Sequence, residues 1–324
     1  MERSGVTGDR GITANPKTTV MRKATIGIII PVHNRVGHTV ACIDSISRST
    51  YQGFRVYVVD DGSTDGTASI LAERHPHVKV VRGDGSLWWT KATNLGIRQA
   101  LDDGVEHVLL LNNDNLLSRE TLGELLRVSH DRGGAIVGSV VVVKDDGGWR
   151  VKHACLASGV DRGIKARNPY YNRYLEDLPE IMTTEILSGQ GSLIPRWVFD
   201  KTGFFDSVHF PQYMADFDFF MRCRRKGIPM FVARNAIVED DPTSTGIHMS
   251  FERVPSFRGF ARSLIAINSH RNVRANVAYF RRYSKDAVRC LFGLAIFYAG
   301  YLTSFFLAKL GMRRVRFFLI NHFR

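Results

Sequence analysis

The stretch that most constrains the fold is VEHVLLLNNDNLLS, residues 105–118, where a short apolar run stops at two asparagines, an aspartate and a third asparagine. The uninterrupted apolar part, residues 108–111, is too short for a helix and reads as a strand buried on both faces, as in a parallel sheet. In open α/β sheets ligands gather outside the carboxyl ends of the strands. Asn112, Asn113, Asp114 and Asn115 arrive at that edge. Asn and Asp are also ordinary turn formers, so this stretch alone leaves a plain turn as the other reading.

The chain upstream extends the pattern. Residues 24–32 are β-branched and apolar and run through Pro31 into a His33-Asn34-Arg35 loop, which predicts a buried strand. Residues 36–49 carry Val40, Ile43 and Ile46 at helical spacing. A strand at 54–59, a helix at 68–75, a strand at 78–81 and a helix at 91–101 follow. This alternation predicts an α/β fold, a doubly wound and mostly parallel sheet flanked by helices.

The second strand ends in Asp60-Asp61-Gly62-Ser63-Thr64-Asp65-Gly66. Carboxylates placed there can accept hydrogen bonds from a base N–H or from ribose hydroxyls, and the glycines let backbone approach a ligand. A helix-capping turn would account for Ser63 and Thr64 but not for two adjacent carboxylates. Neither GxxxxGK[ST] nor GxGxxG occurs, which argues against a P-loop ATPase or a dinucleotide enzyme.

Composition narrows the class. With 44% hydrophobic and 23% charged residues, the 324-residue chain is neither disordered overall nor a polytopic membrane protein. A net charge of +13 calls for an anionic partner. The four cysteines are scattered without a CxxC pair, which argues against a zinc site or a disulfide framework and fits a reducing compartment. Residues 1–23 are polar and basic, lack the apolar core of a secretory signal, and read as a mobile tail.

Taken together, Pro31-Val32-His33-Asn34-Arg35, the Asp60-to-Gly66 run after Val58-Val59, and Asn113-Asp114 occur in the order and spacing of family 2 glycosyltransferases, which have the GT-A, Rossmann-like fold. The resemblance places Pro31, Asn34, Asp60, Asp61 and Asn113 around a nucleotide-sugar donor, with Asp61 contacting the base. It makes Asp114 the residue that helps hold a divalent cation, Mg²⁺ or Mn²⁺, on the diphosphate. The family usually carries Asp-x-Asp here, whereas this chain has Asn112-Asn113-Asp114. One carboxylate suffices where a cation completes its shell with phosphates and water.

Residues 83–100 resemble the family segment beneath the nucleotide, so Lys91 and Asn94 are candidates to reach ribose or phosphate. Trp88 and Trp89 either stack on a ligand or, as tryptophans more often do, pack in the core. Residues 149–180, rich in tyrosine and arginine, are expected either to lie over the site and meet the acceptor or to form a surface loop. Residues 185–206 resemble the acceptor-side segment, followed by Met214-Ala215-Asp216-Phe217-Asp218 where the family has Glu-Asp-x-Asp opening a helix. Asp216 thereby aligns with the catalytic base, although Asp216 and Asp218 would also suit a helix N-terminus with no chemistry. His248 is a further candidate for the metal or diphosphate, against the plainer reading of a structural or solvated histidine.

At the C-terminus, arginine-rich residues 253–289 lead into an uncharged apolar stretch, 290–308, and then into more basic residues. A nucleic-acid surface is conceivable. An anionic membrane surface explains the combination better, and basic flanks on both sides favour an in-plane or re-entrant helix over a single span. Gly300, Ser304 and Ala308 at four-residue spacing could pack a homo-oligomer. The expected organisation is a basic tail (1–23), a GT-A glycosyltransferase domain (24–250) and a membrane-associating helical region (251–324). The expected activity is inverting transfer from a nucleotide-diphosphate sugar to a hydroxyl of a lipid-linked or growing surface glycan, at the cytoplasmic face of the membrane. The alternatives are a non-catalytic glycan- or nucleotide-binding protein of the same fold and a nucleotidyltransferase, although the latter's glycine-rich N-terminal loop is missing.

Overall fold

The computed structural model describes residues 25–240 and 256–312; the expected tail and His248 lie outside the described residues. The first half runs β1 (Ile26–Val32), α1 (Val36–Ser47), β2 (Phe54–Asp60), α2 (Thr67–Arg74), β3 (Lys79–Arg82), α3 (Trp88–Asp102), β4 (His107–Leu110), β5 (Asn115–Leu117) and α4 (Thr121–Asp131). Next come β6 (Ile136–Asp145), β7 (Gly148–His153), β8 (Ala157–Gly159), β9 (Ile164–Arg167), β10 (Ile181–Thr183), β11 (Ser192–Pro195), α5 (Arg196–Thr202), α6 (Ala215–Arg225) and β12 (Met230–Asp240). Three helices close the chain: α7 (Phe257–Ile265), α8 (Val273–Tyr283) and α9 (Ala287–Lys309).

One mixed sheet has the order β10-β12-β6-β11-β4-β1-β2-β3, with β5 added to β12 and β7 to β6. Strands β3, β2, β1 and β4 are parallel, as expected. Beyond them β11 enters antiparallel between β4 and β6, and β12 runs parallel to β6. The C-terminal ends of β1, β2, β4 and β12 therefore share one edge, together with the loop that leads into β11.

Alternation of side chains along each strand builds two buried layers. Ile26, Ile28 and Ile30 of β1 join Val56 and Val58 of β2 and Leu109 of β4 on one face. Ile29, Tyr57, Val108 and Leu110 lie on the other. This second layer also takes in Tyr279, Phe280 and Tyr283 of α8 and Cys290 of α9, so the C-terminal helices share the main core.

Helix α9 sits close on the short 3-10 turn Val160–Arg162: a Cβ on Gly293 would come within 2.5 Å of the Val160 carbonyl oxygen. Its inner face is Cys290, Gly293, Tyr301, Phe305 and Ala308. Val288, Leu291 and Phe292 on the outer face are 76%, 70% and 61% exposed. By length and composition alone, this 23-residue helix is long and apolar enough to cross a bilayer.

Candidate active site

Two loops meet at the shared strand edge. Asn34 takes positive φ (51°), donates its backbone N–H to Ser63 Oγ (2.9 Å) and accepts from the Thr64 N–H (2.7 Å). Asp65 caps the start of α1 through the Val36 N–H (2.9 Å). Asp60 accepts from the Ser63 N–H at 3.0 Å and closes the turn. Pro31 is half-buried at the end of β1.

Asp61 is buried and accepts three backbone N–H groups from the segment before α3: Gly85 (2.8 Å), Leu87 (3.0 Å) and Trp88 (3.1 Å). The carboxylate thus anchors the 83–88 loop over the strand ends. Lys91 is exposed on α3 and close enough to Asp84 to favour that carboxylate's charged form. Asn94 is buried, and its amide is matched to the Phe205 backbone in both directions, at 2.8 and 3.0 Å. Trp89 takes the packing role, donating to Asn112 Oδ1 (2.9 Å) and meeting Phe205 edge to face. Trp88 remains 39% exposed.

At the end of β4, Asn113 is buried against Thr39. Asp114 receives Arg35 Nη1 on Oδ2 at 2.9 Å. Its other oxygen, Oδ1, is buried with no hydrogen-bond partner. Burial pushes the Asp114 carboxyl up from its ordinary range, Arg35 opposes this, and nearby Asp240 raises it further. A buried acceptor without a donor is costly, so an unpartnered carboxylate oxygen here fits a bound cation. Among the described residues there is no group of three or more His, Cys, Asp or Glu side chains that could hold a metal ion.

Asp240, at the C-terminal end of β12, is saturated by Asn115 (2.9 Å), Gln190 (2.6 Å) and Lys152. Gln190 belongs to the Gly189-Gln190-Gly191 loop before β11. Gly191 (φ 77°) has no room for a side chain, since a Cβ would lie 2.6 Å from Ser139 Oγ. The same loop reaches the other carboxylate: the Gly189 N–H donates to Asp216 Oδ2 at 3.0 Å. Asp216 is half-buried in the first turn of α6. Burial raises its pKa, while the Gly189 and Phe217 N–H groups and the positive charge of Lys165 oppose the rise. Of the four non-glycine residues with positive φ among those described, Asn34, Trp88 and Met214 flank this edge. Backbone strain of that kind collects where a site over-determines its geometry.

Sequence reading missed three features. Asp218, two residues after Asp216, is fully buried and held by Arg222 Nε (2.9 Å), Arg282 Nη1 (2.5 Å) and the Tyr283 hydroxyl (2.7 Å). Two of these partners, Arg282 and Tyr283, lie 64 and 65 residues downstream in α8, a separation no local pattern encodes. The Arg35–Asp114 pair joins two segments whose common sheet edge was legible but whose contact was not. Lys165, on β9, lies in the expected overlying segment without any motif to single it out.

The family model for Glycosyl transferase family 2 matches residues 27–203, over half of the chain. Among curated proteins, the N-acetylglucosaminyl-diphospho-decaprenol L-rhamnosyltransferase of Mycobacterium tuberculosis is 26% identical over 285 residues, spanning 76% of this chain and 92% of that protein. Among solved structures, the mannosyltransferase PcManGT of Pyrobaculum calidifontis in complex with GDP-Man and Mn²⁺ matches with a TM-score of 0.52. That match has 17% identity and covers 86% of this chain and 74% of that one. GalNAc-T7 with UDP, GalNAc and Mn²⁺ matches with a TM-score of 0.55 at 14% identity, covering 68% of this chain and 44% of that one. These two likenesses show the shared GT-A fold. The strand-edge site and the family match agree: the chain belongs to glycosyltransferase family 2.

Proposed function

We propose that the chain is an inverting glycosyltransferase that moves a sugar from a nucleotide-diphosphate donor to a hydroxyl of a lipid-linked or growing surface glycan. The observation that carries this reading is the pair of carboxylates Asp114 and Asp216 at one sheet edge, one with a buried free oxygen and the other held by the Gly189 N–H. The first suits the diphosphate side and the second the acceptor side.

In this reading the 60–67 and 83–88 loops hold the nucleoside, with Asp61 fixing the loop beside the base. Asp114 would hold a divalent cation through Oδ1 while Arg35 fixes its other oxygen. When bound, that cation offsets charge developing on the departing diphosphate. Asp216 takes the proton of the acceptor hydroxyl as its oxygen attacks the anomeric carbon from the face opposite the nucleotide. The bond from that carbon to the diphosphate oxygen breaks, and the nucleoside diphosphate leaves with the electron pair. Burial suits Asp216 to the task, because a base with a raised pKa holds the transferred proton more firmly.

A lipid-linked acceptor is supported by the mycobacterial relative, whose name specifies a diphospho-decaprenol-linked substrate, and by the outer face of α9. Residues 24–250 would carry the transfer chemistry, and residues 251–324 would hold it against the cytoplasmic face of an anionic membrane, with α9 lying in the plane. The test is nucleotide release from a panel of nucleotide sugars with membranes present, comparing wild type, Asp216→Asn and a chelated sample. Release from one donor by wild type only, lost on chelation, supports the reading. No turnover with any donor favours a non-catalytic binding protein.

A further inference from the structure

Lys152 stands at the same sheet edge, and the transfer chemistry above gives it no part. It is the extra residue of a β-bulge in β7: His153 is in register with Val141 and Val151 with Val142, so Lys152 has no opposite number on β6. Its carbonyl accepts from the Asn168 side-chain amide at 2.7 Å instead. Bulges re-aim a side chain and gather beside active sites. Here the ammonium is turned to Asp240 Oδ2.

That carboxylate lies next to the expected place of the donor diphosphate. Asp240 is opposite Asn115 in the register of β12 with β5 and takes its side-chain amide at 2.9 Å, and Asn115 directly follows Asp114. Asp240 is close enough to help raise the pKa of Asp114, whose Oδ1 is buried without a hydrogen-bond partner. The Asp240 side chain is only 4% exposed, whereas that of Lys152 is 31% exposed. An ammonium carries three N–H donors. One goes to Asp240, and the exposure leaves the others open to solvent or a ligand. Arg35 with Asp114 and Lys152 with Asp240 make two ion pairs of no net charge. A divalent cation on Asp114 would tip that balance to positive, which suits the edge to a diphosphate.

We propose that Lys152 is a phosphate-binding residue of the donor site, its ammonium held by Asp240 and donating to the phosphate bonded to the sugar. The inference rests on the glycosyltransferase reading and deepens it by giving the departing nucleotide a contact from the overlying 149–180 segment. As the bond from the anomeric carbon breaks, its electron pair stays on the phosphate oxygen, and the charge gathering there is met by a charge-assisted N–H···O bond. Lys152 keeps its proton throughout, because the proton of the acceptor hydroxyl goes to Asp216.

Binding tests the contact without requiring turnover. The full-length chain in detergent is titrated with inorganic pyrophosphate in the presence of Mn²⁺, by calorimetry, and with Mn²⁺ alone, by electron paramagnetic resonance. Lys152→Met should weaken pyrophosphate binding roughly ten- to a hundredfold, the range for a lost charge-assisted bond, and Lys152→Arg should keep most of the affinity. Mn²⁺ alone should bind Lys152→Met at least as tightly as wild type, because a repelling charge has gone. A lysine that only holds Asp240 in place predicts instead that both affinities fall together. The double variant Lys152→Met with Asp240→Asn removes the buried charge that the single change strands; it should melt close to wild type and still bind pyrophosphate weakly. Equal pyrophosphate affinity in wild type and Lys152→Met, including none in either, or a parallel loss of pyrophosphate and Mn²⁺ binding, overturns the contact even if the enzyme transfers sugar. Lys152-dependent pyrophosphate binding without turnover of any donor would keep the contact and sink the reaction.

Discussion

Asp218 offers the sharpest test of how the C-terminal helices hold the proposed base, Asp216, in place. Its carboxylate is 0% exposed, with Arg222 on one oxygen and Arg282 and Tyr283 on the other. Breaking a buried ion pair from one side typically costs about 3–5 kcal/mol, because it strands the remaining charge. In Asp218→Ala, however, Arg222 keeps the carbonyls of Thr202 (2.7 Å) and Phe204 (2.8 Å), Arg282 keeps Asp206 (3.0 Å), and Tyr283 keeps the backbone carbonyl of residue 218 (2.9 Å). The expected loss therefore lies at the lower end, about 3 kcal/mol, or roughly 4–5 °C in melting temperature for a chain this large. Arg282→Met leaves Asp218 with Arg222 and Tyr283 and should cost only about 1–2 kcal/mol. Because α6 also carries Asp216, Arg282→Met should lower kcat more than it raises the donor KM. Thermal unfolding by circular dichroism, paired with transfer kinetics, checks both parts. Melting of Asp218→Ala within 2 °C of wild type, or a larger loss in Arg282→Met than in Asp218→Ala, would refute the argument.

Other consequences are independent of that cluster. Asp216→Asn should reduce transfer by about 10²–10⁴-fold, with donor binding intact in a titration. Since burial raises the Asp216 carboxyl above its ordinary value of 3.8, the base is protonated and idle in the interval above 3.8. The acid limb of the pH–rate profile should therefore lie above 3.8 in wild type, and a limb at or below that value would count against the assignment. Asp114→Asn should weaken Mn²⁺ binding at least tenfold, measured by electron paramagnetic resonance with a nucleoside diphosphate present, because the cation would lose a charged protein ligand. Gly189→Ala brings a Cβ within 2.7 Å of the Trp89 ring, so the loop must shift and loosen its bond to Asp216; a fall in kcat with little change in donor KM is expected. Leu291→Glu combined with Phe292→Glu should abolish flotation with anionic vesicles while leaving the melting temperature within about 2 °C, since both side chains face outward.

Much of the fold was legible because the parallel half of the sheet obeys simple rules. The β-branched run of β1, the short apolar runs of β2 and β4, and the helical spacing of α1 each encode their own element. Helix α3 shows where local rules fail, since it begins at Trp88, three residues before the expected start. Its first N–H groups are satisfied by Asp61, 26 and 27 residues upstream, a cap that no window around Trp88 contains. Likewise β12 runs unbroken from Met230 to Asp240, because the register shift between Ala233 and Ile237 carries it past the polar Arg234-Asn235 interruption. Residues 149–180 hold more strand than their composition promised, with β7 paired to β6 and β8 to β9. At the site, the loops of β1, β2 and β4 were legible as neighbours from strand order alone. The carboxylate partners were not, because Arg35 with Asp114 and Arg282 with Asp218 depend on how separate elements pack.

The central claim is that Asp216 deprotonates an acceptor which displaces the nucleotide in one step. The most direct measurement is the anomeric configuration of the transferred sugar, read by NMR from a turnover with the donor that wild type accepts, alongside Asp216→Asn under the same conditions. The account predicts inversion relative to the donor and no product from the variant at matched enzyme concentration. Retained configuration, or inverted product formed at the wild-type rate by Asp216→Asn, would contradict it.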